Sequence, residues 1–255
     1  MADRSTIWNR RLLSILIAAI VVGALVLFMS PVDRYVGWAW RRLAGGATVE
    51  QRLEQYGPAA RDRLKPFFDA AGIEYAPAKL VLIAIKDRKH LELWGCNSDG
   101  AFRHVRTYPV LAASGQLGPK LREGDRQVPE GLYRIESLHP NSMFHLALRV
   151  NYPNAEDRMH AQAEGRSDLG GDIMIHGNNV SVGCLAMGDQ AAEDLFVLVA
   201  DVGLANTELI LAPVDFRTSS GAVPAGAPVW TEQRYAEIRE RMSLFRDDEP
   251  CRNGL

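Results

Sequence analysis

The sequence predicts a mainly β domain with flanking helices, a β-sandwich or β-barrel in outline, preceded by an N-terminal transmembrane helix. Three observations carry this reading. Between Ala76 and Pro213, short runs rich in Val, Ile and Leu alternate with turn signals. Among them a single stretch, Asp189–Val202, has helical apolar spacing, with Leu195, Phe196, Leu198 and Val199 on its apolar side and Asp189 at its start. Ahead of them all, residues 12–29 form an uncharged apolar run.

That run follows Arg4, Arg10 and Arg11, and Ser14 is its one polar side chain. As a helix its eighteen residues reach ~27 Å, close to the ~30 Å of a hydrocarbon core. Phe28-Met29-Ser30-Pro31 lacks the small-residue cleavage site of a signal peptide, so an uncleaved signal anchor is expected. Arg34, Arg41 and Arg42 beyond the span nearly balance the arginines before it, so orientation leans on the chemistry below. Arg10-Arg11-Leu12-Leu13 also faintly resembles a twin-arginine export signal, and either route takes the globular part out of the cytoplasm. The expected placement is residues 1–11 in the cytoplasm and the remainder in the periplasm, anchored to the inner membrane.

Residues 30–75 are expected as a juxtamembrane segment and a helical stalk that packs on the catalytic domain. Tyr35, Trp38 and Trp40 suit the membrane–water interface. Thr48-x-x-Gln51 is a capping box, and Val49, Leu53, Tyr56, Leu64, Phe67 and Ala71 recur at helical spacing, with Gly57-Pro58 dividing the run into two helices. Residues 76–213 form the expected catalytic domain. Its strands are Lys79–Lys86, His90–Trp94, Phe102–Pro109, Gly131–Ser137, Phe144–Val150, Gly171–His176 and Thr207–Leu211, with Asn97-Ser98-Asp99-Gly100 a hairpin turn. Residues 214–229, rich in Ser, Gly, Ala and Pro, read as a linker. In 230–255, Trp230, Tyr235, Ile238, Met242 and Phe245 mark a C-terminal amphipathic helix that docks back on the domain, followed by a tail.

Composition narrows the function. The 255 residues, 47% hydrophobic, suffice for one core with appendages, and a net charge of −2 excludes a nucleic-acid partner. Three cysteines, Cys96, Cys184 and Cys251, are too few for a disulfide scaffold, and no C-x-x-C marks zinc. Cys96 and Cys251 would pair only if the tail were held. No Gly-rich phosphate loop and no repeat occurs. Neither metal nor cofactor is expected.

The chemistry converges on Asp172–Met187, D-I-M-I-H-G-N-N-V-S-V-G-C-L-A-M. A strand delivers His176 to a polar turn, and Cys184 re-enters an apolar segment eight residues later. An imidazole beside a thiol is the arrangement that activates a cysteine nucleophile, the imidazolium drawing the thiol pKa down. The expected reaction is acyl transfer through a Cys184 thioester, with His176 as base and then acid. The backbone N–H groups of Val182, Gly183 and Cys184 are candidate oxyanion donors. Papain-like proteolysis is disfavoured because His176 closely precedes Cys184 in the chain.

H-G-N-N-V-S-V-G-C-L resembles the signature of the L,D-transpeptidase (YkuD-type) catalytic domain. Two further stretches extend the resemblance over Lys79–Pro213: Ser114–Lys120 with Glu123–Tyr133, similar to the family's T-P-E-G-x-Y region, and Asn151-Tyr152-Pro153-Asn154-x-x-Asp157-Arg158, similar to the YafK-like branch. The resemblance implies Cys184 as nucleophile, His176 as base, the Gly177 carbonyl as the group orienting the imidazole, and Ser181 as the buttress of the loop. It implies peptidoglycan stem peptides as substrate, with transfer to an amine or to water, and a wall-linked lipoprotein as a further partner. Val182 stands where many members have a second histidine, and Ala186 where an Asn or Arg often follows the cysteine. Ser181, Arg158 and Asn178 are candidate substrate contacts, Arg158 weighed against an ion pair with Glu156 or Asp157 and Asn178 against service to the turn. His160 reads as a structural histidine. The alternatives are hydrolysis of stem peptides and a non-catalytic wall-binding homologue.

Overall fold

In the computed structural model, residues 45–98 and 101–246 are described. The expected membrane span, the juxtamembrane aromatics, part of the 97–100 turn and Cys251 lie outside them. Among the described residues no helix is long and apolar enough to cross a membrane. From Ala47 onward the described residues form one compact unit.

Eight strands make one sheet: β1 (Lys79–Ile85), β2 (His90–Cys96), β3 (Arg103–Pro109), β4 (Gly131–Ser142), β5 (His145–Val150), β6 (Met174–His176), β7 (Leu185–Ala186) and β8 (Thr207–Ala212). Their order is β3-β2-β1-β8-β4-β5-β6-β7. The helices are α1 (Val49–Ala71), α2 (Ala155–Ala163), α3 (Asp189–Val202) and α4 (Thr231–Met242). The β-rich fold with flanking helices holds, but as a mixed open sheet in place of the expected sandwich or barrel. β1 pairs parallel with β8, and β6 with β7.

The parallel β1/β8 pair explains this layering. A parallel strand is covered on both faces, and Leu80–Ile85 is buried throughout. Leu80, Leu82 and Ala84 face a core with Leu64 and Phe68 of α1 and Leu195, Leu198 and Val199 of α3. Val81, Ile83 and Ile85 face a second core with Tyr235, Ile238 and Met242 of α4. A two-residue period thus assigns each strand residue to one layer or the other.

The sequence reading needs four changes. First, α1 is one helix, although Pro58 and Pro66 lie inside it. Pro58 removes a donor, yet the buried stripe Ala60, Leu64 and Phe68 and the ion pairs Arg61–Asp201 and Arg63–Asp194, both 2.7 Å, hold it against α3. The helical stalk thus packs on the catalytic domain, as the sequence led us to expect, but as a single helix. Second, α2 went unpredicted. Asn154 caps it, in a reciprocal box with Asp157. Third, the segment 214–229 is fastened at its start, where Asp215 pairs with Arg88 and Arg217 at 2.7 and 2.8 Å, and Arg217 reaches Glu92. Fourth, β6 is three residues long, because Gly170 and Asp172 take positive φ values of 72° and 54° that leave the ladder.

Candidate active site

His176 ends β6, and Cys184 immediately precedes β7. The parallel pairing sets Ile175 opposite Leu185 and His176 opposite Ala186. One residue back in that register, Cys184 lies beside Met174. Pleat alternation then places Cys184, Ala186 and His176 on one face of the β6/β7 pair. On its other side β7 forms an antiparallel bridge, Ala186 with Ala112.

His176 is buried, with 2% of its surface exposed. Its Nδ1 lies 2.6 Å from the Gly177 carbonyl, which can only accept; Nδ1 therefore donates, and Nε2 is left as the basic nitrogen. Phe144 stacks on the ring at 4.7 Å between centroids. Burial pushes the imidazole below its ordinary pKa, with the Gly177 carbonyl pulling the other way.

Cys184 is a free thiol and half-buried. Burial raises its pKa; the Met174 backbone opposes this, the Asp172 charge adds to it and Lys120 opposes it. This departs from the expected low-pKa thiolate. Both shifts favour the uncharged form of the group. The thiol donates to the Asp172 carbonyl at 3.6 Å. Cys96 is buried and disulfide-bonded.

The turn between them is internally saturated. Ser181 Oγ accepts from the Cys184 N–H at 3.0 Å and donates to the Cys184 carbonyl at 2.6 Å. The Gly183 N–H donates to Ser114 Oγ at 2.7 Å, and that hydroxyl donates to the Arg126 carbonyl. The oxyanion expectation for Gly183 is thus amended, since its amide is occupied at rest. Among the described residues the Val182 N–H has no such bond. The Ser181 hydroxyl is engaged within the loop. Asn178, at φ 62°, donates its N–H to Asp189 and accepts from Asn179 with its side chain, so it too serves the turn.

Arg158 is exposed on α2. The ion pair weighed for it is not formed, because Glu156 and Asp157 both face Arg234, at 3.0 and 2.8 Å. It lines a cleft with Glu136, Arg149 and Gly171. His160 stacks on Trp230 at 4.3 Å. Among the described residues no group of His, Cys, Asp and Glu could hold a metal ion. Sequence reasoning missed Phe144, Ser114, Arg149 and the backbone of Asp172. Ser114 and Asp172 stood inside the quoted motifs, whereas no local pattern marks Phe144 or Arg149.

The L,D-transpeptidase catalytic domain (YkuD) matches residues 78–229, more than half of the chain and all of this site. The chain belongs to the L,D-transpeptidase family. It is 36% identical over 116 residues to YafK of Escherichia coli K12, which carries the L,D-transpeptidase name; the match covers 45% of this chain and 44% of YafK, less than half the length of that relative. The helical cell shape determining protein Pgp2 of Campylobacter jejuni aligns at a TM-score of 0.45 and 17% identity, over 66% of this chain and 71% of that one. Bd1075 of Bdellovibrio bacteriovorus aligns at 0.41 and 20%, over 67% and 55%. The site lies within the family's catalytic domain.

Proposed function

We propose that the protein is a cysteine-dependent acyltransferase acting on peptidoglycan stem peptides, anchored to the inner membrane with its catalytic domain in the periplasm. The observation that carries the reading is the shared face of His176 and Cys184, with Nδ1 held by Gly177 so that Nε2 is the basic nitrogen.

His176 Nε2 takes the thiol proton as the thiolate attacks the peptide carbonyl carbon. The C–N bond breaks, the imidazolium protonates the departing amine, and a Cys184 thioester remains. An acceptor amine, or water, then gives its proton to His176, attacks the thioester and restores the thiol. The Val182 N–H supports the developing oxyanion, joined by the Gly183 amide when Ser114 yields.

The test is mass spectrometry of muropeptides incubated with wild type and Cys184→Ala. Wild type should form a thioester adduct and altered muropeptides, and Cys184→Ala neither. Neither product from wild type would sink the reading in favour of a wall-binding homologue. Cross-linked products identify an amine acceptor, and trimmed peptides or a released lipoprotein identify water.

A further inference from the structure

A cleft of about 450 Å³ opens beside the site, with Glu136, Arg149, Asn151, Arg158 and the Gly170–Gly171 turn in its wall. The groups left unengaged there are donors. Arg158 makes no ion pair among the described residues. Asn151 accepts the Arg134 N–H with its side-chain oxygen, which leaves its NH2 unused. Arg149 is bound only by two exposed carboxylates: Nε to Glu136 at 3.0 Å and Nη1 to Asp172 at 2.8 Å, their side chains 56% and 74% exposed. Such a wall attracts an anion, and guanidinium groups match a carboxylate bidentately.

Asp172 joins this cleft to the nucleophile. Its side chain is held by Arg149, while its carbonyl accepts the Cys184 thiol proton at 3.6 Å. The residue sits in the left-handed region, directly after two glycines.

The geometry points to a carboxylate subsite formed by Arg158 and Arg149, whose occupation loosens the Asp172 tether on the Cys184 thiol. The inference rests on the proposed acyl transfer and specifies its donor: a peptide with a free carboxylate near the scissile bond. An entering carboxylate binds Arg158 and competes with Asp172 for Arg149. Freed of its partner, and next to Gly170 and Gly171, Asp172 relaxes from its left-handed conformation. The thiol then loses its carbonyl acceptor and turns to His176. Arg149 is accordingly a positioning residue, and Arg158 reads the substrate.

Two measurements test this. In the first, a tetrapeptide stem and analogues with each carboxylate in turn converted to carboxamide are titrated calorimetrically into Cys184→Ala. One amidation should weaken binding roughly tenfold, as expected for loss of a charged partner, and Arg158→Gln should erase that difference. Binding without discrimination, or discrimination that survives Arg158→Gln, overturns the subsite and leaves the acyl-transfer reading standing. No binding by any form overturns both. In the second, Cys184 alkylation by iodoacetamide is timed without peptide. An exposed ion pair shifts an opening equilibrium by up to roughly fivefold, so Arg149→Gln and Asp172→Asn should each react severalfold faster than wild type. Asn tolerates the left-handed conformation, so the second variant keeps the fold. Wild-type rates in both variants, with unchanged melting, overturn the tether.

Discussion

A Cβ built on Gly177 would lie 2.6 Å from Asp189 Oδ1, 2.8 Å from the Phe144 carbonyl and 2.9 Å from His145 Cβ. The absent side chain lets the β4–β5 hairpin press against β6, which brings the Phe144 ring onto His176. Overpacking of this kind costs about 1–3 kcal/mol. Gly177→Ala should therefore lower the melting temperature and, by shifting the imidazole, remove muropeptide turnover; wild-type melting and turnover would reject the close-packing account. The neighbouring imidazole makes a pH prediction. Its folded pKa lies below the unfolded value of about 6.5, so the unfolded state binds more protons in that range. Stability should fall as pH drops below about 6.5, and His176→Gln should flatten that slope in denaturant titrations at several pH values. An unchanged slope in the variant would show that other groups govern it.

At the scale of elements, α2 shows what the sequence concealed. Only Asp157 and Ala161 are buried on its nine residues, so no apolar stripe announces it. The capping box Asn154-x-x-Asp157 was visible, but as part of a family motif. Asp157 does more than cap: it accepts from Tyr133 and pairs with the buried Arg234 of α4 at 2.8 Å. Removing one partner of a buried pair leaves an uncompensated charge and costs about 3–5 kcal/mol. Asp157→Ala should lower the unfolding free energy from urea titration by that much; a change under about 1 kcal/mol would refute the pairing. By contrast, α3 was legible to the residue, because its apolar spacing and its burial coincide. The seven longer strands were legible in place, though β6 shortened. The two-residue β7 was not, since two residues have no period.

At the scale of the molecule, the sheet order was hidden because β1 and β8 pair across more than a hundred residues, and periodicity reports only local structure. The Cys–His site was legible because its members are close in sequence; the groups around it, Arg149 and Phe144, arrive through that same non-local pairing. The most distant arrival is α4. Tyr235 donates to Glu130 at 2.7 Å, and Glu130, fully buried, also accepts from Lys86 and from the Gly118 N–H. That carboxylate fastens Gly118, and Ser114, four residues earlier in the same loop, binds the Gly183 amide, so the C-terminal helix bears on the nucleophile turn without touching it. Ending the chain at Val229 would remove Tyr235 and Arg234 from two buried carboxylates and uncover Val81, Ile83 and Ile210. Such a chain should bind a hydrophobic dye and lose cooperative unfolding. Tyr235→Phe separates the two effects: it keeps the apolar cover and removes the hydrogen bond to Glu130, so it should fold cooperatively yet alkylate Cys184 at an altered rate. If the truncated chain unfolds as cooperatively as the full one, the second core is not integral to the domain. If Tyr235→Phe alkylates at the wild-type rate, the path from α4 through Glu130 to Gly183 carries no positioning.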